Sequence, residues 1–303
     1  KKDNVKKRGI KLIDLHVHTT YSDGADSLIE VLKKAEKFGL THISITDHDN
    51  CKAYRELVGI DIKKYYTGKI IPGIEIKVGY KGRLIEVLGY KIDAEKMQKW
   101  SEEFYKDKTK PILQKKYFDI LCNRCEEMGL ILSEESKKNF DSQKEWANLH
   151  IYQEIIKHEE NKKILPEGVL SSFDDFSKGY CGNINSKLYI DKTKDYPSID
   201  YAINVIKECG GLVFLPHIYI YKWAENKEEF IQEILRTYDI DGIECMHSEF
   251  NDKQIKRLLE ICKDQHYFRS GGSDYHGKNK IGIELGKGKG NLNIPEEFIE
   301  EWE

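Results

Sequence analysis

The sequence predicts an α/β protein in which a parallel sheet, open or closed into a barrel, is interrupted by a helical insert. Strand-like and helix-like stretches alternate through the first hundred residues, and the alternation resumes at residue 199. Repeated β-α-β units of this kind are typical of parallel sheets covered by helices. The segment between the two halves differs in composition, since it is rich in Lys and Glu and mostly helical in pattern.

The first half begins with a predicted strand over residues 10–17. A capping box follows, formed by Ser27 and the glutamate three residues later, and Gly39 ends the helix that this box begins. HISIT is the next strand, and residues 70–78 and 83–90 have the pattern of two more. The predicted first helix carries apolar residues at helical spacing: Leu28, Val31, Leu32, Ala35 and Phe38.

After the insert, the pattern predicts three helices and three strands in turn. The strands are LVFLP, GIECM and YFRSG, and the helices cover 199–208, 227–237 and 251–265. We therefore predict a discontinuous β/α body and, inserted into it, a mostly helical cap domain. The predicted body covers residues 9–92 and 181–290, and the predicted cap covers 93–180.

The composition excludes several classes of protein. With 49 Lys and Arg against 52 Asp and Glu, the formal charge is −3, which disfavours obligate duplex binding through a cationic face. No apolar run approaches a membrane span, and the basic start leads into a strand without the apolar core of a signal peptide. Seven scattered cysteines indicate a reducing compartment, which we take to be the cytoplasm. Cys122 and Cys125 lie in a helical pattern without a second pair, so we interpret them as ordinary helix residues.

Metal-capable side chains recur where successive strands end, which is where α/β barrels place their active sites. Single examples have ordinary explanations, because Asp23 could be a turn residue and the TDHD stretch a helix cap. The joint pattern favours a metal centre. His16 and His18 lie two residues apart in a strand, so both imidazoles point to one face. The strand-end residues are His16, His18, Asp23, Asp47, His48, Asp49, Glu75, His217, Asp274 and His276.

This donor set narrows the choice of metal. Imidazoles and carboxylates without thiolates suit Zn²⁺, Mn²⁺ or Fe²⁺. The donors exceed what one ion needs, so we predict two or three ions, some of them bridged by a carboxylate. Clustered ions of this kind suit displacement at phosphorus, because they activate water and stabilise charge on the phosphoryl oxygens.

Glu86 lies in KGRLIEVLGY, residues 81–90, which alternates like a strand. Leu84, Glu86 and Leu88 share one face, so the carboxylate is predicted to be largely removed from water. An unpaired charge there would be costly. The position therefore predicts a partner for Glu86.

Five motifs, in this order, resemble those of the PHP (polymerase and histidinol phosphatase) family: DLHVHTTYSDG, TDHD, GIE, PH and GGSDYHG. The likeness runs along nearly all of residues 10–290. Within the family, the sequence is most similar to the branch that acts on nucleotides, which includes nucleoside phosphatases, bisphosphate nucleotidases and oligoribonucleases. That branch also carries a helical insert between its halves.

The resemblance implies a distorted seven-stranded (β/α)7 barrel with a trinuclear site holding Mn²⁺, Zn²⁺ or Fe²⁺. It implies hydrolysis of a small phosphorylated substrate by attack of a metal-bound hydroxide, with catalytic roles for Asp23, Glu75 and His217. Glu75 would be the bridging carboxylate. The ligands implied by the motifs are His16, His18, Asp23, His48, Glu75, His217, Asp274 and His276.

Three departures from the branch affect the site. Glu86 stands where the branch usually has a metal-binding histidine, so we include it as a variant ligand. Asn148 stands where the insert usually has a phosphate-binding arginine, although His150 remains, and we assign substrate binding to His150, Asn148 and His247. The proline that usually follows the histidine at position 217 precedes it here.

Two alternatives remain open from the sequence. One is a histidinol-phosphatase-like monoesterase, and the other is a metal-binding module without hydrolytic activity, which the asparagine at position 148 suggests. An amidohydrolase is less favoured, because no strand ends in the bridging lysine that it usually needs. We expect a small, nucleotide-like phosphorylated partner, and no duplex nucleic acid, membrane or obligate protein partner.

Overall fold

The computed structural model describes residues 11–303, and within them the chain forms a mixed α/β fold of eight strands and nine α-helices. The first residues of the predicted body and the basic start of the chain lie outside the described residues. The strands are β1 Leu12–Val17, β2 Leu40–Ile45, β3 Lys69–Ile70, β4 Gly73–Tyr80, β5 Arg83–Tyr90, β6 Leu212–Leu215, β7 Gly242–His247 and β8 Phe268–Gly272. The helices are α1 Leu28–Phe38, α2 Lys52–Glu56, α3 Ala94–Tyr105, α4 Lys110–Glu127, α5 Glu134–Asn139, α6 Ala147–Ile155, α7 Ile199–Glu208, α8 Lys227–Thr237 and α9 Asp252–Gln265.

Local sequence signals place these elements as predicted. The Ser27 side chain accepts from the Glu30 amide and the Glu30 carboxylate accepts from the Ser27 amide, which completes the capping box of α1. Gly39 ends α1 in the left-handed conformation. Cys122 and Cys125 are buried in α4 among apolar side chains, as the helical pattern indicated.

The strands form two sheets, one of three strands in the order β1-β2-β3 and one of five strands in the order β4-β5-β6-β7-β8. β1, β2 and β3 are parallel, and so are β6, β7 and β8. The sequence predicted a parallel sheet, and β5 departs from this prediction because it runs antiparallel to β6. The reason is local: the two residues between β4 and β5, Lys81 and Gly82, both have positive φ and form a tight hairpin turn.

Isolated bridges join the two sheets. Val17 pairs with Tyr275 just after β8, and His48 just after β2 pairs with Glu75 in β4. The first bridge joins residues that lie next to candidate ligands, and the second joins two candidate ligands directly, with Glu75 near the beginning of β4. The two bridges therefore bring candidate ligands of both sheets close together.

The chain divides into two compact units. The first contains the described residues up to Tyr80 together with Leu84–Glu102 and Tyr196–Glu303, and the second contains Lys81–Arg83 and Glu103–Asp195. The second unit overlaps the insert predicted over 93–180 but begins inside α3 and extends to Asp195, and that insert as a domain stays a prediction. In the first unit, apolar side chains of the five-stranded sheet, α7, α8 and α9 form the larger core. No helix in residues 11–303 is both long and apolar enough to cross a membrane.

Candidate metal centre

The site lies where the strands of the first unit end. β1 supplies His16 and leads into His18, and the turn beyond them carries Asp23. His48 follows β2, Glu75 lies in β4 and Glu86 in β5. His217, Asp274 and His276 follow the later strands, and β7 contributes Glu244 and His247. The sheet topology thus brings together all nine predicted ligands: His16, His18, Asp23, His48, Glu75, Glu86, His217, Asp274 and His276.

Glu75 is the centre of this cluster. Its Oε2 is 3.2 Å from Nε2 of His16, 3.2 Å from Nε2 of His18 and 3.2 Å from Nδ1 of His48. Its other oxygen, Oε1, is 2.7 Å from Nε2 of His217. The Glu75 side chain is 1% exposed, so its charge is stabilised by these rings rather than by water. One buried carboxylate is therefore shared by four imidazoles.

A second group surrounds Asp23. Its carboxylate is 3.1 Å from Nε2 of His276, 3.6 Å from Nδ1 of His18 and 3.6 Å from Nε2 of His48. Asp274 approaches the same rings, with Oδ1 3.3 Å from Nδ1 of His276 and 3.5 Å from Nε2 of His18. Because His18 and His48 also contact Glu75, the two groups adjoin one another.

Several buried nitrogens in this cluster lack a hydrogen-bond partner among residues 11–303: Nε2 of His16, Nε2 of His18 and Nδ1 of His48. Each of them nevertheless lies 3.2 Å from the same Glu75 oxygen. Two ligands on one Zn-like ion, each bound at about 2.0–2.2 Å, are roughly 3 Å apart. The spacing and the unsatisfied nitrogens therefore fit a divalent cation bound between the rings and Glu75.

Three donor groups in the described residues are compact enough to hold an ion. They are His16, His18 and Glu75; His18, Asp23, His48 and His276; and His48, Glu75 and Glu86. The donors are nitrogen and oxygen atoms with no thiolate, which suits Zn²⁺, Mn²⁺ or Fe²⁺. Because His18, His48 and Glu75 each occur in two groups, more than one ion could share ligands here.

The electrostatics favour binding of cations. Burial raises the pKa of Glu75, but the charge of His16 and the hydrogen bonds from His16 and His18 outweigh this effect and hold the pKa well below its ordinary value. Burial similarly raises the pKa of Asp274, and His16, His247 and His18 bring it well below the ordinary value. Burial lowers the pKa of His48 to about 3, so this ring is neutral and able to act as a ligand. Because their pKa values lie below the ordinary range, the carboxylates of Glu75 and Asp274 are ionised at neutral pH.

The backbone is strained at three positions around the centre. His217 has a φ of 25°, and Asp274 and Asp49 each have a φ of 56°. Residues other than glycine seldom adopt this left-handed region, and when they do they cluster at functional sites. The strain at His217 and Asp274 falls on two candidate ligands. It indicates that the orientation of these side chains is fixed by the surrounding structure.

Glu244 is a site residue that the sequence reasoning missed. It is fully buried in β7, where Oε1 lies 2.9 Å from Nδ1 of His16 and Oε2 accepts the backbone N–H of His217 at 2.7 Å. The carboxylate thereby fixes which nitrogen of His16 faces Glu75. The signal was present in GIECM, because a glutamate in an apolar strand needs a partner just as Glu86 does.

Two aspartates accept hydrogen bonds from the loops that carry candidate ligands. Asp47 accepts from the backbone N–H of Thr19 at 2.7 Å and from the hydroxyl of Ser22 at 2.6 Å, which fixes the turn before Asp23. Asp14 is fully buried and accepts from the hydroxyl of Ser273 at 2.6 Å, next to Asp274. These side chains orient the loops rather than face the donors, so strand-end spacing alone could not assign their roles.

Of the predicted substrate residues, His247 belongs to the first unit and adjoins its donors. His247 lies 3.2 Å from Asp274 through Nε2 and is fully buried. His150 belongs to the second unit, where it contacts Glu145 and Ser136 and packs against Phe118 and Phe140. Asn148 donates to the hydroxyl of Ser177 in the same unit. Substrate binding by His150, Asn148 and His247 stays a prediction.

Glu86 has the partners that its position required. The hydroxyl of Tyr221 accepts from the Glu86 amide at 2.9 Å and donates to Oε2 at 3.2 Å, and Oε2 is 3.7 Å from Nε2 of His217. On the other side, Oε1 is 3.8 Å from the ammonium of Lys77. Burial lowers the pKa of Lys77, but the negative charges of Glu86, Asp49 and other nearby groups outweigh this effect. The net pKa is therefore above its ordinary value. The side chain of Glu86 is 15% exposed, and it lies at the edge of the centre.

Glu86→Gln is expected to lower metal content and activity together, because it removes a negative charge from the group formed with His48 and Glu75. We expect activity to fall about tenfold or more. Elemental analysis and turnover measured on the same preparation check this. Glu260→Gln, at an exposed glutamate of α9, is the control and should change neither quantity. Unchanged stoichiometry and turnover in Glu86→Gln would remove Glu86 from the ligands.

Gly272→Ala is expected to displace His16, a candidate ligand in β1. A Cβ at this position would lie 2.2 Å from Cβ and 2.4 Å from the backbone nitrogen of His16, so β1 would have to move. We expect a loss of about 1–3 kcal/mol in the free energy of unfolding, together with weaker metal binding. Thermal unfolding with and without Mn²⁺ measures both effects. Gly179→Ala is the matched control, since its new Cβ would come no closer than 3.9 Å to its neighbours.

Comparisons with known proteins give the family of this chain and several relatives. The PHP domain family matches residues 14–251. The chain is 25% identical to a 5′-3′ exoribonuclease of Haemophilus influenzae, over 97% of this chain and 98% of the relative. It is 23% identical to a phosphoribosyl 1,2-cyclic phosphate 1,2-diphosphodiesterase of Eggerthella lenta, over 88% of this chain and 94% of the relative.

Two solved structures share the fold. A Bifidobacterium adolescentis protein described as a metal-dependent phosphoesterase aligns with a TM-score of 0.61 and 21% identity, over 96% of this chain and 95% of that one. An amidohydrolase from Chromobacterium violaceum, solved with bound sulfate and no metal, aligns with a TM-score of 0.61 and 17% identity, over 90% and 89% of the two chains.

The family match identifies a hydrolase of phosphate esters, and the donor set of its site fits divalent metal ions. The family match covers well over half of the sequence. The chain belongs to the PHP domain family, as its five motifs indicated.

Proposed function

We propose that this PHP-family phosphoesterase hydrolyses a small phosphorylated substrate: a nucleotide, a nucleoside bisphosphate or a short oligonucleotide. The observation that carries the proposal is the approach of His16, His18 and His48 to one oxygen of the buried Glu75, with ring nitrogens that have no hydrogen-bond partner among residues 11–303. The names of the two relatives support the class, since an exoribonuclease and a phosphodiesterase both act on phosphate esters.

Two or three divalent ions, Mn²⁺, Zn²⁺ or Fe²⁺, would be held by the nine ligands and would supply an activated water and positive charge next to the phosphoryl oxygens. The chain itself positions the donors. Glu75 orients the ring of His16 through Oε2 and the ring of His217 through Oε1, and Glu244 holds the other nitrogen of His16. We assign catalytic roles to Asp23, Glu75 and His217.

The chain also controls access of water and substrate. The inner donors His16, His18 and Glu75 are at most 1% exposed, whereas the Asp23 side chain is 57% exposed. Substrate would therefore approach from the side of Asp23, His48 and Glu86. The buried inner wall excludes bulk water, which strengthens the interactions of the donors with a bound phosphate.

We further propose that seven strands form one distorted (β/α)7 barrel, with the helical cap over 93–180 inserted into it. The bridges Val17–Tyr275 and His48–Glu75 support closure, because they link the three-stranded and five-stranded sheets on both sides. All seven cysteines are free thiols, which supports the cytoplasm as the compartment.

The test is hydrolysis by purified protein loaded with Mn²⁺, offered nucleotides, 3′,5′-bisphosphates, short oligoribonucleotides and histidinol phosphate. We expect release of phosphate or of a mononucleotide from at least one nucleotide-like substrate, and loss of this activity when EDTA removes the metal. Turnover of histidinol phosphate alone would favour the histidinol-phosphatase-like alternative. No turnover on any of these compounds would contradict the proposal for this substrate range.

A metal-binding module without hydrolytic activity is the second candidate, since Asn148 stands in place of a phosphate-binding arginine and is engaged by Ser177. This candidate predicts full metal occupancy together with negligible hydrolysis of an activated aryl phosphate. Mn²⁺-dependent hydrolysis of p-nitrophenyl phosphate would exclude it.

A further inference from the structure

Lys77 lies beside the metal centre. It is two residues after Glu75 in β4, so both side chains are on the same face of the strand. Its ammonium is 3.8 Å from Oε1 of Glu86, and 33% of its side chain is exposed. Glu86 in turn approaches His217 at 3.7 Å, and His217 contacts Glu75 at 2.7 Å. A cation therefore stands at the edge of the centre that is open to solvent.

An anionic substrate needs such a cation at this edge. The exposed donors include the carboxylates of Asp23 and Glu86, with side chains 57% and 15% exposed. Both carboxylates would offset part of the positive charge that bound divalent ions bring to the site. An ammonium on the same side would add to the attraction for phosphate and could donate hydrogen bonds to its oxygens.

Among residues 11–303, Lys77 and Lys280 each form an ion pair with a candidate ligand, and the two pairs differ in how closely the ammonium approaches the carboxylate. Lys280 contacts Oδ2 of Asp274 directly, so its ammonium is paired with a candidate ligand. The separation between Lys77 and Glu86 exceeds hydrogen-bonding distance, so this ion pair is loose. Of the two, Lys77 is better placed to take up a second anion.

We propose that Lys77 binds a non-bridging phosphate oxygen of the substrate at the open edge of the centre. The inference rests on the proposed function and adds a substrate-binding residue that the sequence reasoning did not assign. Glu86 has a second role in this arrangement, because the attraction of its carboxylate favours positions of the Lys77 ammonium near the centre.

Binding of inorganic phosphate to Mn²⁺-loaded protein, measured by calorimetry, tests this proposal without turnover. Lys77→Ala is expected to raise the dissociation constant about tenfold or more, since a charge-assisted hydrogen bond is lost. Lys77→Arg should keep most of the affinity because it keeps the charge. Lys256→Ala is the matched control: it removes a lysine of α9 that is 80% exposed and 3.9 Å from its partner Glu260. We expect this control to bind phosphate as the wild type does.

Elemental analysis of each variant separates phosphate binding from metal binding. Unchanged metal content with weakened phosphate binding in Lys77→Ala supports the proposal, and so does a higher KM for p-nitrophenyl phosphate with a smaller change in kcat. Wild-type phosphate affinity in Lys77→Ala, or loss of metal from it, would overturn the proposal. A wild type that binds phosphate through Lys77 but cleaves no ester would contradict the proposed function alone.

Discussion

Glu75→Gln is expected to abolish most of the phosphoesterase activity and to lower the metal content by at least one equivalent. The carboxylate approaches four imidazoles, those of His16, His18, His48 and His217, at distances between 2.7 and 3.2 Å. The amide keeps the shape of the side chain but has one acceptor oxygen and no charge. The amide would therefore bind divalent ions more weakly than the carboxylate would, and we expect turnover to fall more than about a hundredfold.

Metal content by elemental analysis and turnover of an aryl phosphate measure this effect. Glu154→Gln is the control for removal of a buried carboxylate as such, because the Glu154 side chain is 3% exposed and accepts from Ser133 within the second unit. That variant is expected to lose stability but to retain its metal. If Glu75→Gln kept both the full metal content and the activity, Glu75 could not be the shared ligand.

Glu244→Gln is expected to weaken metal binding about 10- to 100-fold, although Glu244 is not one of the candidate ligands. The two oxygens of Glu244 have different partners, Nδ1 of His16 at 2.9 Å and the backbone N–H of His217 at 2.7 Å. A glutamine has only one oxygen for these two partners. If its oxygen accepts from His217, its NH₂ group faces His16 and favours a proton on Nε2, the nitrogen that faces Glu75. If the amide turns round, its NH₂ group opposes the N–H of His217.

The turned-round orientation also costs stability, because the buried N–H of His217 is left unsatisfied, at about 1–3 kcal/mol. Titration of the metal-free protein with Mn²⁺ gives the affinity, and urea unfolding of the metal-free protein gives the stability. Met246→Leu, a volume-conserving change on the same strand, should alter neither by a comparable amount. Wild-type metal affinity in Glu244→Gln would mean that His16 does not depend on this carboxylate for its orientation.

Much of the fold was predictable because its signals are local. The helices over 199–208 and 227–237 have the predicted bounds, and the capping box at Ser27 begins α1 as predicted. The direction of β5 had a local signal that the prediction did not use, the two-residue turn at Lys81 and Gly82, whereas its pairing with β6, far along the chain, could not be predicted from local pattern. Alternation of side chains along a strand is the same in parallel and antiparallel sheets.

The donors of the site were predictable for a related reason. Their residue types were visible at the strand ends, and parallel strands bring those ends together, so His16, Glu75 and Asp274 could be assigned to one centre before any distance was known. Glu86 was identified because a charge in an apolar strand requires a partner. The same reasoning, applied to β7, would have identified Glu244.

The sequence by itself determined which side chains could hold metal ions, since donor type and strand position are properties of the chain. The tertiary structure decided how those side chains are used. It paired His16 with Glu244, joined His48 to Glu75 and placed Lys77 beside Glu86. These contacts join different strands, and most of them join residues far apart in the sequence, so they depend on sheet order and register rather than on local pattern.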